Sequence, residues 1–142
     1  MAQYWLFKTE PETYSFTQLL KDGKTNWNGV RNFQARNFLM KAEKGDQALI
    51  YHSGDDKCVV GIAKVIKSAY PDPDPEKSGD WVQIDLAPVE PFTRSIPLKE
   101  IKATPSLADM LLIKQSRLSC MPVTAKQFET LVKLGQAKGG RV

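Results

Sequence analysis

Three apolar runs in the middle of the chain constrain its fold more than any other feature. They are QALIYHS (47–53), CVVGIAKVIKSA (58–69) and WVQIDLAPV (81–89). Each run is rich in β-branched or aromatic residues and is bounded by turn-forming residues, which is typical of strands. The proline-rich, acidic segment PDPDPEKSGD (71–80) before the third run is too short for a domain linker. It predicts a long exposed hairpin connection.

The second and third runs predict different positions in a sheet. The second run has apolar residues at both parities, namely Val59 with Ala63 and Val60 with Ile62, so both of its faces should be covered, as in a central or barrel strand. In the third run, Pro88 breaks the alternation and predicts a bulge or a sheet edge.

The N-terminal third predicts one strand and two helices. Alternation in QYWLFKT indicates a strand from Tyr4 to about Thr9, stopped by Pro11. A helix should follow, capped by Ser15 and ended by Gly23. Residues 32–43 predict a second helix with Asn32 as its N-cap and an apolar face made by Ala35, Phe38, Leu39 and Ala42.

The C-terminal third predicts short helices near 98–102 and 106–112, a strand SCMPV (119–123) and a closing helix. The spacing of Thr124 and Gln127 fits a capping box for that last helix, which should bury Phe128, Leu131 and Val132 before Gly135. The tail AKGGRV (137–142) should fray.

Together these elements predict a single α+β domain over residues 1–142, built on a curved, mainly antiparallel sheet or small barrel with short flanking helices. The composition, 42% apolar and 25% charged, is ordinary for a globular protein. No apolar run approaches the ~20 residues that cross a bilayer, and the N-terminus lacks a signal-peptide pattern. We therefore expect a cytoplasmic protein without a membrane partner.

The residue types leave little room for common catalytic or metal sites. His52 is the one histidine, and Cys58 and Cys120 belong to no C-x-x-C pair, so they are expected to be small buried hydrophobes. The chain has neither G-x-x-x-x-G-K-[ST] nor G-x-G-x-x-G. We predict no catalytic residue, no metal ligand and no cofactor, which makes binding the leading class of function. The net charge of +4 favours an anionic partner.

The segment NWNGVRNFQARN (26–37) is the best candidate for a binding site. Trp27 offers a flat face for stacking a base, Gly29 permits close approach of a ligand, and Asn32 would cap a helix whose first N–H groups favour an acceptor. Arg31 and Arg36 add positive charge. The structural alternative is that Trp27 fills the core, the arginines are solvated and the asparagines serve turns and caps.

Four segments together resemble the EVE-domain family over nearly the whole chain: YWLFKTEPETYS, WNGVRNFQARNFLMKAEKGDQALIYHS, GIAKVIKSAYPDP and SRLSCMPVT. This chain has Phe33 where tyrosine is common in the family and Thr9 where serine is common. The resemblance implies a PUA-like fold, a small curved β-barrel with flanking helices, related to domains that hold a modified base.

The resemblance also implies a set of site residues. The pocket should be lined by Trp27, Val30, Arg31 and Asn32 and by Tyr51, His52 and Ser53. Lys8 and Glu10 match the family's N-terminal motif and should lie nearby. Arg36 and Arg117 are candidates either for phosphate contacts or for structural ion pairs, and the structural role is the stronger expectation for Arg117.

These observations predict a nucleic-acid-binding module that accepts one flipped, modified base of DNA or RNA in an aromatic and polar pocket. Trp27 and Tyr51 would stack on the base, and Asn32, His52 and Ser53 would contact its edge. Two alternatives remain. One is an enzyme acting on a modified base or nucleotide with His52 as acid and base, and the other is a small-molecule or protein-interaction module using the same pocket.

Overall fold

Six strands form one sheet in the computed structural model, which describes residues 3–27, 33–71 and 81–136. The strands are β1 (Tyr4–Thr9), β2 (Thr25–Trp27), β3 (Gln47–His52), β4 (Cys58–Pro71), β5 (Val82–Pro97) and β6 (Cys120–Val123). Their order is β2-β5-β4-β3-β1-β6. β1 and β3 are parallel and the other four pairings are antiparallel, which confirms a mixed, mainly antiparallel α+β fold. Within the described ranges the sheet ends at β2 and β6, so barrel closure stays a prediction.

The two long strands behave as their sequences predict, with one extension. β4 lies between β3 and β5, so the expectation of a central strand is confirmed. β5 continues beyond Pro88 to Pro97. Ile62 pairs with Glu90 while Ala63 pairs with Pro88, so Val89 is an extra residue and forms the predicted bulge. A bulge lets the strand pass a proline because a ladder hydrogen bond is not required there.

The described helices are α1 (Phe16–Asp22), α2 (Phe33–Leu39), α3 (Leu98–Ala103), α4 (Leu111–Lys114) and α5 (Ala125–Leu134), with a 3₁₀ helix at Pro105–Leu107. The predicted caps of α1 are confirmed, because Ser15 Oγ accepts from Gln18 N at 3.0 Å and Gly23 has φ 78°. The capping box of α5 is also present, with the Gln127 N to Thr124 Oγ1 distance at 3.0 Å and the reciprocal one at 2.9 Å. Phe128, Leu131 and Val132 are buried as predicted.

The second predicted helix is shorter than its sequence pattern. α2 ends at Leu39 instead of residue 43, because the following N–H groups of Lys41 and Ala42 bond to carbonyls three residues back and Gly45 then turns the chain at φ 100°. The predicted N-cap Asn32 lies outside the described residues. The helical signal at 106–112 is likewise divided, between the 3₁₀ helix and α4.

A buried carboxylate ties β1 to the turn before β3. Asp46 is 2% exposed and accepts from Trp5 Nε1 at 2.9 Å, Gln3 N at 3.0 Å and Glu43 N at 2.8 Å. These N–H donors satisfy a charge that would otherwise be costly to bury. The contact fixes the beginnings of the two parallel strands, whose ends therefore meet at the opposite edge of the sheet, where Thr9 pairs with His52.

None of the helices in the described ranges has the length and apolar content needed to span a bilayer. Cys58 is half-buried, Cys120 is buried, and both are free thiols. The predicted hairpin tip at 72–80 and the tail at 137–142 lie outside the described residues.

Candidate functional site

An open hollow of about 590 Å³ lies beside the ends of β1 and β2. We call it the β1–β2 hollow, and its described lining is Lys8, Thr9, Thr13, Tyr14, Lys24, Thr25, Asn26 and Trp27. Its volume falls in the range of about 300–1,000 Å³ that is usual for small-molecule and cofactor sites. Two lysines, two aromatic rings and several neutral polar groups converge there, so the hollow offers charge, stacking and hydrogen bonds to one ligand.

Lys8 brings a cation to the wall of the hollow. Its ammonium donates to Ser116 O at 2.6 Å and lies 5.6 Å from the centre of the Tyr51 ring. Burial lowers the pKa of Lys8 from its usual value, because desolvation disfavours the charged form. Lys8 therefore sits in a partly dry position, where its charge acts more strongly on an anionic or electron-rich ligand than it would in water.

Tyr14 is held at the rim by the turn between β1 and α1. The backbone of Glu10 accepts from Thr13 N and Tyr14 N, and Thr9 Oγ1 donates to Tyr14 O at 2.7 Å. The Tyr14 hydroxyl donates to Asp22 Oδ2 at 2.8 Å. These bonds fix the ring without burying it fully, so its aromatic surface is available to a ligand in the hollow.

Trp27 serves the core and the hollow together. It is 8% exposed, and its ring centre lies 5.8 Å from that of Phe7 with the planes tilted by 44°. The alternative in which Trp27 fills the core is thus correct for most of its surface. Its remaining surface still lines the hollow, so any contact with a ligand is made by the edge or a small part of the ring.

The side chain of His52 accepts a hydrogen bond from the backbone of α1. Its Nε2 accepts from Phe16 N at 3.0 Å, and Nδ1 lies 3.7 Å from Asp56 Oδ2. Nε2 must be unprotonated to accept, so the proton of the neutral ring is on Nδ1. Burial lowers the pKa of His52, while nearby Asp56 opposes that shift. The neutral ring therefore binds the first N–H of α1, a group without a partner inside the helix.

Tyr51 and Ser53 flank His52 at the end of β3. Tyr51 is buried next to Lys8, and burial raises the pKa of its phenol. Ser53 N donates to Thr9 O at 2.9 Å, which places Ser53 directly beside the lining of the hollow. The structure thus brings these residues to the same edge of the sheet as Lys8 and Thr9.

The remaining predicted site residues occupy different positions. Glu10 is exposed and its carbonyl holds the turn under Tyr14. The Arg36 guanidinium lies 5.8 Å from the centre of the Trp81 ring, and Arg36 Nη2 donates to Asn37 Oδ1 at 3.2 Å. Arg117 is exposed and follows Ser116, whose carbonyl binds Lys8. Val30, Arg31 and Asn32 lie outside the described residues.

Sequence reasoning missed six residues of the lining: Thr9, Thr13, Tyr14, Lys24, Thr25 and Asn26. Thr9, Thr13 and Tyr14 follow Lys8 within the segment YWLFKTEPETYS, and their place in that family-like segment is the signal that identifies them. Lys24 and Thr25 carry no comparable signal. In the described ranges, no three His, Cys, Asp or Glu side chains come together as a possible metal site.

The chain is similar to known proteins over nearly its whole length. The EVE domain model matches residues 3–134. Human thymocyte nuclear protein 1 is 33% identical over 167 residues, covering 94% of this chain and 74% of the human protein. A crystal structure of a protein from Agrobacterium tumefaciens matches with a TM-score of 0.91 and 36% identity, covering 96% of this chain and 94% of that one.

Two solved structures of similar proteins contain nucleic acid. The human THYN1 protein in complex with DNA containing 5-methylcytosine matches with a TM-score of 0.87 and 32% identity, covering 96% of this chain and 99% of that one. A YTH domain from Zygosaccharomyces rouxii in complex with N6-methyladenosine RNA has a TM-score of 0.57 at 17% identity, covering 94% and 86% of the two chains. At that identity the second likeness concerns the fold alone.

The six-stranded sheet and the short flanking helices define an α+β domain with the same overall fold as the solved structure from Agrobacterium tumefaciens. The chain belongs to the EVE-domain family.

Proposed function

We propose that this chain binds nucleic acid and accepts one flipped, modified base in the β1–β2 hollow. The observation that carries the proposal is the lining of that hollow, which combines Tyr14 and Trp27 with the cations of Lys8 and Lys24. A flipped base needs an aromatic or apolar surface for its face, hydrogen-bonding groups for its edge and positive charge near its phosphate. The described residues supply all three.

The roles follow from the positions of the side chains. Tyr14 contacts the face of the base. Trp27 is held in place by its packing on Phe7, and the small exposed part of its ring also contacts the base. Asn26 and Thr25 supply amide and hydroxyl groups for the edge of the base. We assign the remaining contacts with the base to Val30, Arg31 and Asn32, which follow Trp27 by three to five positions in the sequence. Tyr51, His52 and Ser53 support the pocket from the end of β3.

A relative gives the first ligand to test. The human THYN1 protein, which matches this chain at 32% identity over 96% of its length, was solved with DNA containing 5-methylcytosine. We therefore take methylated cytosine in DNA as the leading candidate for the base. We further propose a single module over residues 1–142, with the sheet curved into a small PUA-like barrel, acting in the cytoplasm and needing no cofactor.

Binding is favoured over catalysis by the position of His52. An acid–base role for His52 requires its Nε2 to give up the bond from Phe16 N, because Nδ1 faces Asp56. A general base must reach the proton that it abstracts, and this nitrogen is already used by the protein. His52 thus acts as a positioning residue for α1, and Tyr14 on the preceding turn depends on that position.

The test is fluorescence anisotropy with short DNA and RNA probes, single- and double-stranded, with and without methylated bases. We expect the wild-type protein to prefer one modified probe. Asn26→Ala and Tyr14→Ala should reduce that preference by about tenfold, since a stacked base or a paired base edge contributes about 1–3 kcal/mol.

Two controls separate binding from folding. Trp27→Ala removes a buried ring, which is expected to cost about 3–5 kcal/mol of stability, so Trp27→Phe is the better variant at that position. Lys24→Gln removes one of the two cations in the described lining of the hollow and should weaken binding. Lys64→Gln changes an exposed lysine on β4 and is its matched control. Equal, weak binding to every probe, unchanged by the hollow variants, would rule out the base pocket and favour a metabolite or protein ligand.

A further inference from the structure

A second hollow, of about 370 Å³, lies where the turn between β3 and β4 meets the beginning of α3. Its described lining is Asp56, Lys57, Pro97, Leu98, Lys99 and Lys102. We call it the lysine groove. None of these lysines belongs to the predicted base site, and the proposed function does not use them.

The backbone holds the three lysines of the groove in fixed relative positions. Leu98 N donates to Lys57 O at 2.8 Å, and Cys58 pairs with Pro97 across β4 and β5. Lys57 itself is in the left-handed region at φ 44°, a conformation that the surrounding turn must maintain. Lys99 and Lys102 are three residues apart on α3 and therefore project from the same side of the helix.

The charge of the groove is positive. Lys57, Lys99 and Lys102 are all exposed, and Asp56 is the single carboxylate of the described lining. Glu100 on the same helix is held by Arg94 through two contacts of 2.7 Å, which offsets its charge. Asp56 also lies near His52. Lysine ammonium groups arranged in this way suit phosphate oxygens, which they bind as point charges.

The lysine groove and the β1–β2 hollow are joined by one short turn. Ser53 N bonds to Thr9 O at the β1–β2 hollow, and Lys57 O bonds to Leu98 N at the groove. The four steps from residue 53 to residue 57 span at most about 14 Å. Because one strand of B-DNA rises about 3.4 Å per nucleotide, that distance corresponds to roughly four nucleotides or fewer.

We propose that the lysine groove holds backbone phosphates of the same nucleic-acid strand whose base occupies the β1–β2 hollow, within a few nucleotides of that base. This inference rests on the proposed function and adds to it a second contact surface. The groove positions the strand and reads no sequence, because phosphates are the same for every base. Discrimination of the modified base remains with the β1–β2 hollow.

The experiment compares two triple variants with the same change of charge. The first is Lys57→Gln, Lys99→Gln and Lys102→Gln. The control is Lys41→Gln, Lys44→Gln and Lys64→Gln, which are exposed and lie beside the beginnings of β1 and β3: Lys41 O accepts from Gln3, and Lys64 pairs with Gln47. The strands have six residues, so this region is about 17–20 Å from the ends that carry the hollow.

Binding of the preferred modified probe and its unmodified counterpart is measured by anisotropy at several salt concentrations. We expect the groove variant to bind both probes about tenfold more weakly, with a slope of log K against log salt that is smaller by about two to three. The ratio of the two affinities should stay within about twofold of wild type, because the base contacts are intact. The control variant should retain most of the affinity and of the slope.

Several results would overturn the inference. Unchanged binding by the groove variant would show that the groove does not contact the nucleic acid. Equal losses in both triple variants would show that its lysines contribute only through the overall positive charge of the protein. Competition by polyglutamate that equals competition by unmodified DNA, and that the groove variant abolishes, would assign the groove to an acidic protein partner. If the groove variant loses affinity while wild type never distinguishes modified bases, the lysine groove binds phosphates but the base pocket fails, and the inference that both sites hold one strand fails with it.

Discussion

His52, the single histidine of the chain, satisfies a backbone N–H that helix α1 leaves without an intrahelical partner. Asp46 has a similar role at the other end of the sheet, where its buried carboxylate accepts hydrogen bonds from three N–H groups. Trp27 packs on Phe7 and still lines the β1–β2 hollow. At the residue scale, polar side chains at both ends of β1 and β3 hold the backbone in place around the candidate site.

The stability of the protein should depend on the protonation of His52. Burial lowers the pKa of His52 in the folded state, so at pH values between that pKa and about 6.5 the unfolded chain binds more protons. The contribution of neutral His52 is therefore complete above about pH 6.5 and is lost as the pH falls toward the folded pKa. For a single proton, the steepest possible slope is about 1.4 kcal/mol per pH unit.

Urea unfolding between pH 5 and pH 8 measures this dependence. His52→Gln keeps an acceptor for Phe16 N but cannot be protonated, so its free energy of unfolding should change less with pH in this range than that of wild type. A wild-type protein whose unfolding free energy is the same at pH 5.5 and pH 7.5 would contradict the assigned contact.

At the element scale, α1 is positioned by a close approach to β4. A Cβ atom added to Gly61 would lie 2.6 Å from two ring carbons of Phe16 and 3.0 Å from Glu90 O. The absence of a side chain at Gly61 thus allows Phe16, the first residue of α1, to pack directly on the strand. The same residue donates its N–H to His52, so the strand and the histidine together fix the turn that carries Thr13 and Tyr14.

Gly61→Ala should therefore loosen α1 and the rim of the β1–β2 hollow. The buried Phe16 ring has to move, and overpacking of this kind costs about 1–3 kcal/mol of unfolding free energy. Chemical denaturation measures the loss, and anisotropy with the preferred probe should show weaker binding. Lys64→Ala on the same strand is exposed and should stay within about 0.5 kcal/mol of wild type. Equal stability of Gly61→Ala and wild type would show that α1 does not depend on this contact.

For the whole molecule, the net charge of +4 matters less than its placement. Lys8 and Lys24 line the β1–β2 hollow, and Lys57, Lys99 and Lys102 line the lysine groove on the other side of the β3–β4 turn. A strand crossing that turn would meet positive charge at both ends of its path. Long-range attraction falls off over about 10 Å at 0.1 M salt, so the two lysine clusters act mainly on the nearest phosphates.

The two sites should contribute independently to binding. Sites that share no contacts are usually additive within about 0.5 kcal/mol. Combining Asn26→Ala with the triple groove variant should therefore weaken binding by the sum of the separate losses in binding free energy. Anisotropy at constant salt measures all three proteins. A combined loss well below the sum would mean that one variant had already detached the strand from the second site.

The sequence by itself determined most of the elements, because their signals are local. The Ser15 cap, the Thr124 capping box and the bulge at Pro88 each depend on residues a few positions apart, and all three are present. The family pattern likewise directed attention to Lys8 and Trp27, which do line the hollow. The shorter α2 departs from its apolar pattern because the turn into β3, anchored by Asp46, ends the helix first.

Only the tertiary structure decided which polar groups of distant segments meet. His52 and Phe16 are 36 positions apart, and nothing in the YHS segment predicts that the histidine binds a backbone N–H. Thr13, Tyr14 and Lys24 join the hollow because the parallel pairing of β1 with β3 and the docking of α1 on Gly61 bring separate segments to one edge of the sheet. Such contacts depend on packing between distant parts of the chain, and local sequence patterns do not encode those distances.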